Sequence, residues 1–358
     1  MKVPQALNLL ANASIAMAGM LIPLLAKEFA PMLGVGLVIA SFGLAAFISY
    51  SLFGRLSDVK RKRKIFLQVG LFSSGVIFLL QVFMVNFLSM IMIRARAGFS
   101  VGIFTFPLLA YVSEVEKTRA EIGKYVGFGS LGWGIGYFLA GILPSYAASF
   151  IFSGLLLLLA AGLSLSLKEA ENFGQKILPL PHVLRQNLST YTVFFTRQFG
   201  AQAVWAIFPV FLFQEFGASI FWIGIIHAVN TIAQFFILIS VGRWGKKIEE
   251  EQFIRIGLLA SSIVFFSYFF ATSLFQLIPI QLLLASGYSM LYLGCVLRLL
   301  KSSTRGTSTG LLGSADALAR VVGPPVAGVI SQLIGMRMLM LFSAAVCLMA
   351  LGLSRRTA

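Results

Sequence analysis

The chain has 358 residues, of which 58% are hydrophobic and only 11% charged, against roughly 25% charged in soluble domains. With a mean hydropathy of +0.92, that composition excludes a water-soluble globular fold. The formal charge of +16 does not point to nucleic acid, because the basic residues gather in short loops between apolar runs, where they set membrane topology and meet anionic headgroups.

A bilayer core needs about 20 apolar residues per spanning helix. Twelve such runs follow one another, near 6–26, 32–53, 65–85, 88–112, 122–143, 146–167, 191–214, 220–242, 253–272, 275–299, 308–334 and 336–353. The predicted fold class is therefore an all-α integral membrane protein with twelve transmembrane helices. Ala11-Asn12-Ala13 resembles a signal-cleavage site, but the apolar run continues to Leu25, so an uncleaved first helix is expected. Cys295 and Cys347 lie inside spans, which leaves no disulfide framework and no zinc spacing.

The loops alternate in charge. One set carries Lys60 to Lys64, Lys117, Arg119, Lys124, Lys176, Arg185, Arg243, Lys246, Lys247, Lys301, Arg305 and Arg355-Arg356; the other holds little beyond Lys27 and Arg337. Basic loops face the cytoplasm, so both termini are expected there, in the plasma membrane.

The chain also repeats itself. Pro23 and Pro209, Glu28 and Glu215, Gly54 and Gly242, and Gly136 and Gly323 are separated by nearly the same interval. Each half then has six spans entering the membrane in the same sense, as in halves related by an axis along the membrane normal. The expected organisation is an N-terminal six-helix bundle over 1–167, a cytoplasmic linker over 168–190 with Pro179 and Pro181 breaking helix, and a C-terminal bundle over 191–358.

Gly54-Arg-Leu-Ser-Asp58-Val-Lys-Arg-Lys62-Arg63 joins the second and third spans. Glycine, then aspartate four residues on, then a basic pair, resembles the loop motif of the major facilitator superfamily, and the resemblance covers essentially the whole chain as two pseudo-symmetric six-helix halves. Val59 and Arg61 replace a basic residue and a second glycine of that motif. The resemblance implies that Asp58 approaches the N-terminus of the eleventh span near Thr307, where partial positive charge collects. Lys62 or Arg63 would pair with Glu114 or Glu116, latching the halves; simple topology setting is the other reading of the basic residues. Arg94, Gly98 and Gly102 share one face of the fourth span, and the glycines permit close packing. Gly132, Gly136 and Gly141 in the fifth span partly match an antiporter motif whose proline is replaced by Tyr137, while Gly323-Pro324 keeps a proline in the eleventh. Plain close packing of small residues is the alternative there.

Charge inside a bilayer costs about 2.5–3.5 kcal/mol on insertion scales. Arg94, Arg96, Arg197, His227, Arg298, Asp316 and Arg320 fall inside spans. Asp316 and Arg320 are four apart and can pair, either as a proton carrier switched by its arginine or as a fixed ion pair. His227 can titrate near neutrality or serve packing alone. Asn8, Asn12, Gln202 and Trp205 line the central cavity if the resemblance holds, or make interhelical hydrogen bonds. Glu28 and Glu215, at equivalent ends of the first and seventh spans, face water or form an outer gate. Arg94 and Arg197 would suit an anionic substrate if they face the cavity.

These features predict a secondary active transporter of a small-molecule substrate working by alternating access, proton-coupled and leaning to export of a drug-like solute, with organic-anion or sugar uptake as the alternative. No Walker motif, zinc motif or nucleophile elbow is present, so neither an ATP-driven pump nor an enzyme is expected, and no cofactor. The expected partners are protons and the lipid bilayer, with a monomeric chain.

Overall fold

The computed structural model describes residues 1–115, 119–143, 145–169, 180–244, 249–299 and 305–355. Glu116, Pro179 and the basic loop residues at 117, 176, 246, 247, 301 and 356 lie outside them. So do the side chains of Asp58, Arg119, Gly242, Arg243 and Arg305 to Thr307. The described residues form helices and no strand.

Twelve long helices follow the predicted order: α1 (Val3–Phe29), α2 (Met32–Lys60), α3 (Lys64–Leu80), α4 (Phe87–Val115), α5 (Arg119–Ile142) and α6 (Tyr146–Ser164), then, after a short α7 (Leu180–Gln186), α8 (Leu188–Phe216), α9 (Ile220–Trp244), α10 (Glu250–Phe270), α11 (Leu277–Leu299), α12 (Arg305–Leu333) and α13 (Met336–Arg355). Several helices outrun their apolar spans. α2 continues to Lys60 because the helix needs only its backbone bonds, while the lipid needs the apolar stretch. Pro181 opens α7 and does not break it, as a proline in a first helical turn can, where its missing N–H has no intrahelical partner.

The packing follows the repeat. In the N-terminal half α1 packs on α5 and α6, α2 on α4, and α3 on α4 and α6; in the C-terminal half α8 packs on α12 and α13, α9 on α11, and α10 on α11 and α13. These are the same pairings with seven added to each label. Two seams join the halves, α2 against α12 and α5 against α9, and they too exchange equivalent helices.

Ten of the twelve long helices are long and apolar enough to cross a membrane. The other two, α5 and α12, sit one at each seam and pack on helices of both halves. Outward faces are apolar: Leu44, Ile48 and Leu52 are exposed at i, i+4 spacing on α2, as are Ile151, Leu155 and Leu159 on α6. Stripes of this size on a soluble surface would drive association; hydrocarbon satisfies them.

Small residues set the close approaches. A Cβ on Gly98 would fall on the Phe42 carbonyl of α2, and one on Gly102 on Ser49. Gly132 and Gly136 admit the α1 backbone at Leu9 and Ala13, and Gly323 admits α8 at Ala203. At the seams, Gly141 lies on Phe221 of α9, while the Pro324 carbonyl of α12 presses on Gly36 of α2. Overpacking costs about 1–3 kcal/mol. Gly98→Leu is therefore expected to lower the thermal midpoint of the purified protein, while Gly162→Leu, at a glycine with open space around it, leaves the midpoint in place. Equal midpoints for both variants would refute the close α2–α4 approach.

Candidate functional site

The basic end of the N-terminal half is built around Arg63. The α2 helix stops at Lys60, Arg61 adopts φ +48°, and the Lys62 N–H donates to the Ser57 carbonyl at 3.3 Å. This is a Schellman stop with its left-handed position filled by arginine, where glycine is the usual occupant. The turn that the missing glycine would favour forms regardless, at about 1–2 kcal/mol of backbone strain. It brings Arg63, 4% exposed, onto Glu114 of α4 with Nη2 at 2.6 Å and Nε at 3.3 Å. Nη1 donates to Ser57 Oγ at 2.7 Å. Glu169, just beyond α6, accepts from the backbone N–H groups of Arg63 and Lys64. Of the two predicted basic partners it is Arg63 that pairs, while Lys62 is exposed. The pair joins elements of one half and does not bridge the two. Gly54 faces Phe106 of α4.

The far end of the C-terminal half is tied as well. Glu215 accepts from Arg337 Nε at 2.7 Å, and Arg337 Nη1 donates to the last carbonyls of α10 at Phe269 and Ala271. Glu28, at the equivalent end of α1, is exposed, and neither acid forms an ion pair across the halves among the described residues.

At mid-height, side chains from five helices form one arc. Asp316 Oδ2 on α12 accepts from Arg320 Nε at 2.9 Å. Its Oδ1 accepts from Gln198 Nε2 and, at 3.3 Å, from Gln202 Nε2, both on α8. Trp205 stands almost one turn beyond Gln202 on the same face. Its ring lies 5.6 Å from His227 of α9, which also meets Phe208 of α8 at 5.3 Å and, across the seam, Tyr137 of α5 at 4.8 Å. Trp133 follows 5.6 Å from Tyr137 and donates from Nε1 to Asn12 Oδ1 at 2.7 Å. Asn12 Nδ2 donates to the Asn8 carbonyl, and Asn8 Nδ2 to the Tyr125 carbonyl, each at 2.7 Å. Both asparagines thus act as interhelical ties between α1 and α5.

The two predicted arginines part company. Arg197, 2% exposed, turns into the C-terminal half: Nη1 donates to Gln198 Oε1, Nε donates to Ser261 Oγ of α10 at 3.1 Å, and the guanidinium sits 5.3 Å from the Tyr288 ring centroid. It reaches the arc only through Gln198. Arg94, 6% exposed, lies over Phe42 at 4.3 Å, and its Nε has no hydrogen-bond partner. No acid pairs with it among the described residues. Arg96, two positions on, points outward and is exposed.

Gln198 was the residue missed. It falls on one helix face with Gln202 and Trp205, a spacing that could have found it. Tyr137 registers in the sequence only as a departure from proline, and its place on the seam does not follow from that. Glu169 gives no sequence signal beyond being an acid near the end of the sixth span.

Two six-helix bundles related by repeat, joined at two glycine-lined seams around a mid-height polar arc, define a membrane transport protein. The Major Facilitator Superfamily model matches residues 6–187 and 190–356, and the chain belongs to that family. An uncharacterized MFS-type transporter of Methanocaldococcus jannaschii is 36% identical over 140 residues, covering 37% of this chain and 36% of that one; the chain thus spans only about a third of that relative. Among solved structures, the human organic anion transporter MFSD10 superposes with a TM-score of 0.77 at 17% identity over 98% of both chains. The nucleoside transporter NupG gives 0.78 at 13% identity over 99% of both. At such identities the likeness shows the fold.

Removing one partner of a buried ion pair costs about 3–5 kcal/mol. Arg63→Ala strands Glu114 and is expected to cut the yield of folded protein and its thermal midpoint, with Arg63→Lys restoring only part, because lysine cannot fork. A midpoint unchanged in Arg63→Ala would show that the pair contributes nothing.

Proposed function

We propose that the chain is a proton-coupled secondary active transporter that exports a small, drug-like organic solute by alternating access. The mid-height arc carries this reading, because both halves contribute to it: Asn12, Trp133 and Tyr137 from one, His227, Trp205, Gln202, Asp316 and Arg320 from the other. A solute held there touches both halves, so their rocking exposes it first to one side and then to the other. Asp316 and His227 are the proposed proton carriers of the arc. The glycine face of α5 at Gly132, Gly136 and Gly141 leans to antiport. The basic loops support a cytoplasmic position for their end and for both termini in this reading, in the plasma membrane and with the chain acting as a monomer. Asp58 and the start of α12 have side chains outside the described residues, and the proposed role of Asp58 in closing that end is the one that the family resemblance implies.

A second reading, uptake of an organic anion, is supported by Arg94, a buried cation without an acid. Both readings share one test. A thermal-shift screen across pH supplies a solute, and proteoliposomes under an imposed proton gradient report its movement. Accumulation that collapses with an uncoupler, and falls at least about tenfold in Asp316→Asn, is expected. Flux indifferent to the gradient overturns proton coupling, and loss of the hit in Arg94→Ala selects the anion reading. Asp58→Asn, inserted at normal levels, is expected to transport poorly; normal transport removes the closing role of Asp58.

A further inference from the structure

We infer that one phospholipid acyl chain seats in a groove on the lipid side of the α5–α9 seam and is retained there as part of the seam. The proposal goes beyond the transport reading and does not depend on the identity of the solute.

The groove encloses about 390 Å³, within the usual range for a ligand site. Its walls come from three helices and from both halves: Phe138 of α5, one face of α9 from Ile225 to Phe236, and Leu282 of α11. The described lining is apolar throughout, so it offers nothing to a charged or hydrogen-bonding solute. Its rims are exposed, Phe138 at 42%, Leu282 at 47% and Phe236 at 61%. α9 and α11 are helices of membrane-crossing composition, and apolar rims on them meet hydrocarbon.

The sequence makes the depression. Ala228 and Ala233 stand on the groove face of α9, where larger side chains would fill it level. Ile232, on the same face, is received by Gly134 of α5, so the floor of the groove is continuous with the seam. Phe138 and Ala228 directly follow Tyr137 and His227, whose rings meet across the seam at 4.8 Å. A chain in the groove therefore touches both halves beside the place where those rings touch.

The dimensions select the occupant. From Ile225 to Phe236 is eleven positions, about 16 Å of helix. Half of a 30 Å hydrocarbon core is about 15 Å, so one chain of one leaflet spans the groove. It starts five residues into α9, which begins at Ile220, and Leu282 lies five residues into α11, which begins at Leu277. Both starts are at the end away from the basic loops, and the chain comes from that leaflet. Trp222 packs on Phe275 at 5.6 Å near this end, as aromatic side chains do at headgroup level. An empty groove would forfeit the dispersion contacts of its walls. A chain that fills it gains walls from three helices, where the flat faces of α2 and α6 offer one side.

The test is retention. The full-length protein is equilibrated with phosphatidylcholine carrying a diazirine in one acyl chain, passed through size exclusion in detergent, and only then irradiated. Intact mass is expected to show one lipid adduct per chain. Peptide mapping is expected to place it on Phe138 or between Ile225 and Phe236, with none on Leu155 or Leu159 of the α6 face. Irradiation in the bilayer before the column should label both places. Filling the groove with Ala228→Phe and Ala233→Phe together should abolish the retained adduct. If that variant fails to fold, the comparison of the two faces in the parent protein still decides. Loss of every adduct on the column, equal retention on α6, or retention undiminished in a folded filled variant overturns the proposal.

Discussion

Every polar group placed between apolar helices must find its partner inside the protein, because lipid offers none. The asparagines of α1 and the amides and acid between α8 and α12 meet that demand within their own halves, while Arg94 Nε and the amides of Gln81 and Gln281 find no partner among the described residues. Asn8, Asn12, Trp133 and the Tyr125 carbonyl close a hydrogen-bonded set between α1 and α5. Arg197, Gln198, Gln202, Asp316 and Arg320 close another between α8 and α12. What crosses between halves at mid-height is of another kind: the Tyr137–His227 ring contact and backbone approaches at glycine. Directional bonds tie each bundle, and ring and backbone contacts, which tolerate sliding, lie on the seams together with one exposed hydrogen bond from the Leu33 N–H to Gln332 Oε1. Two bodies joined in this way can rock without stranding a buried donor or acceptor.

The same demand shapes the two helices that fall short of a membrane-crossing composition. α5 and α12 carry glycine at their contacts, α5 at Gly132, Gly136 and Gly141 and α12 at Gly323 and Gly328, and glycine there serves close approach. The repeat then requires the arrangement twice, once at each seam.

Much of this was legible in the residues. Span count and order follow from hydropathy alone, and the glycine faces of α4 and α5 follow from spacing. The Asp316–Arg320 pair follows from a separation of four, and the Arg63–Glu114 pair was one of the pairings allowed by the loop. Helix facing was not legible. α8 is apolar nearly all round, so periodicity cannot say that Arg197 turns towards α10 and α11 while Gln202, five residues on, turns towards α12. Nor can the chain announce that two asparagines one turn apart serve as ties between α1 and α5. Arg61 stands where the motif has its second glycine, and it takes the left-handed conformation all the same. Arg63 and Glu169 grip the loop from its other side, and several hydrogen bonds outweigh a strain of about 1–2 kcal/mol at one residue.

Gln198 shows how such a network fixes more than geometry. An amide has one face that accepts and one that donates. Arg197 on one side can only donate, and a carboxylate on the other can accept without giving, so the Gln198 oxygen turns to Arg197 and its NH2 group to Asp316. The guanidinium buried in the C-terminal half thereby sets which end of the amide the acid meets, although the two never touch. With Gln202 delivering a second amide to the same oxygen, Oδ1 is occupied from α8, and Oδ2 alone faces Arg320. The acid's hold on Arg320 is thus limited to one oxygen and one nitrogen of the fork. The two Nη groups of Arg320 make no hydrogen bond among the described residues, because the acid that could hold them has its other oxygen taken by the α8 amides.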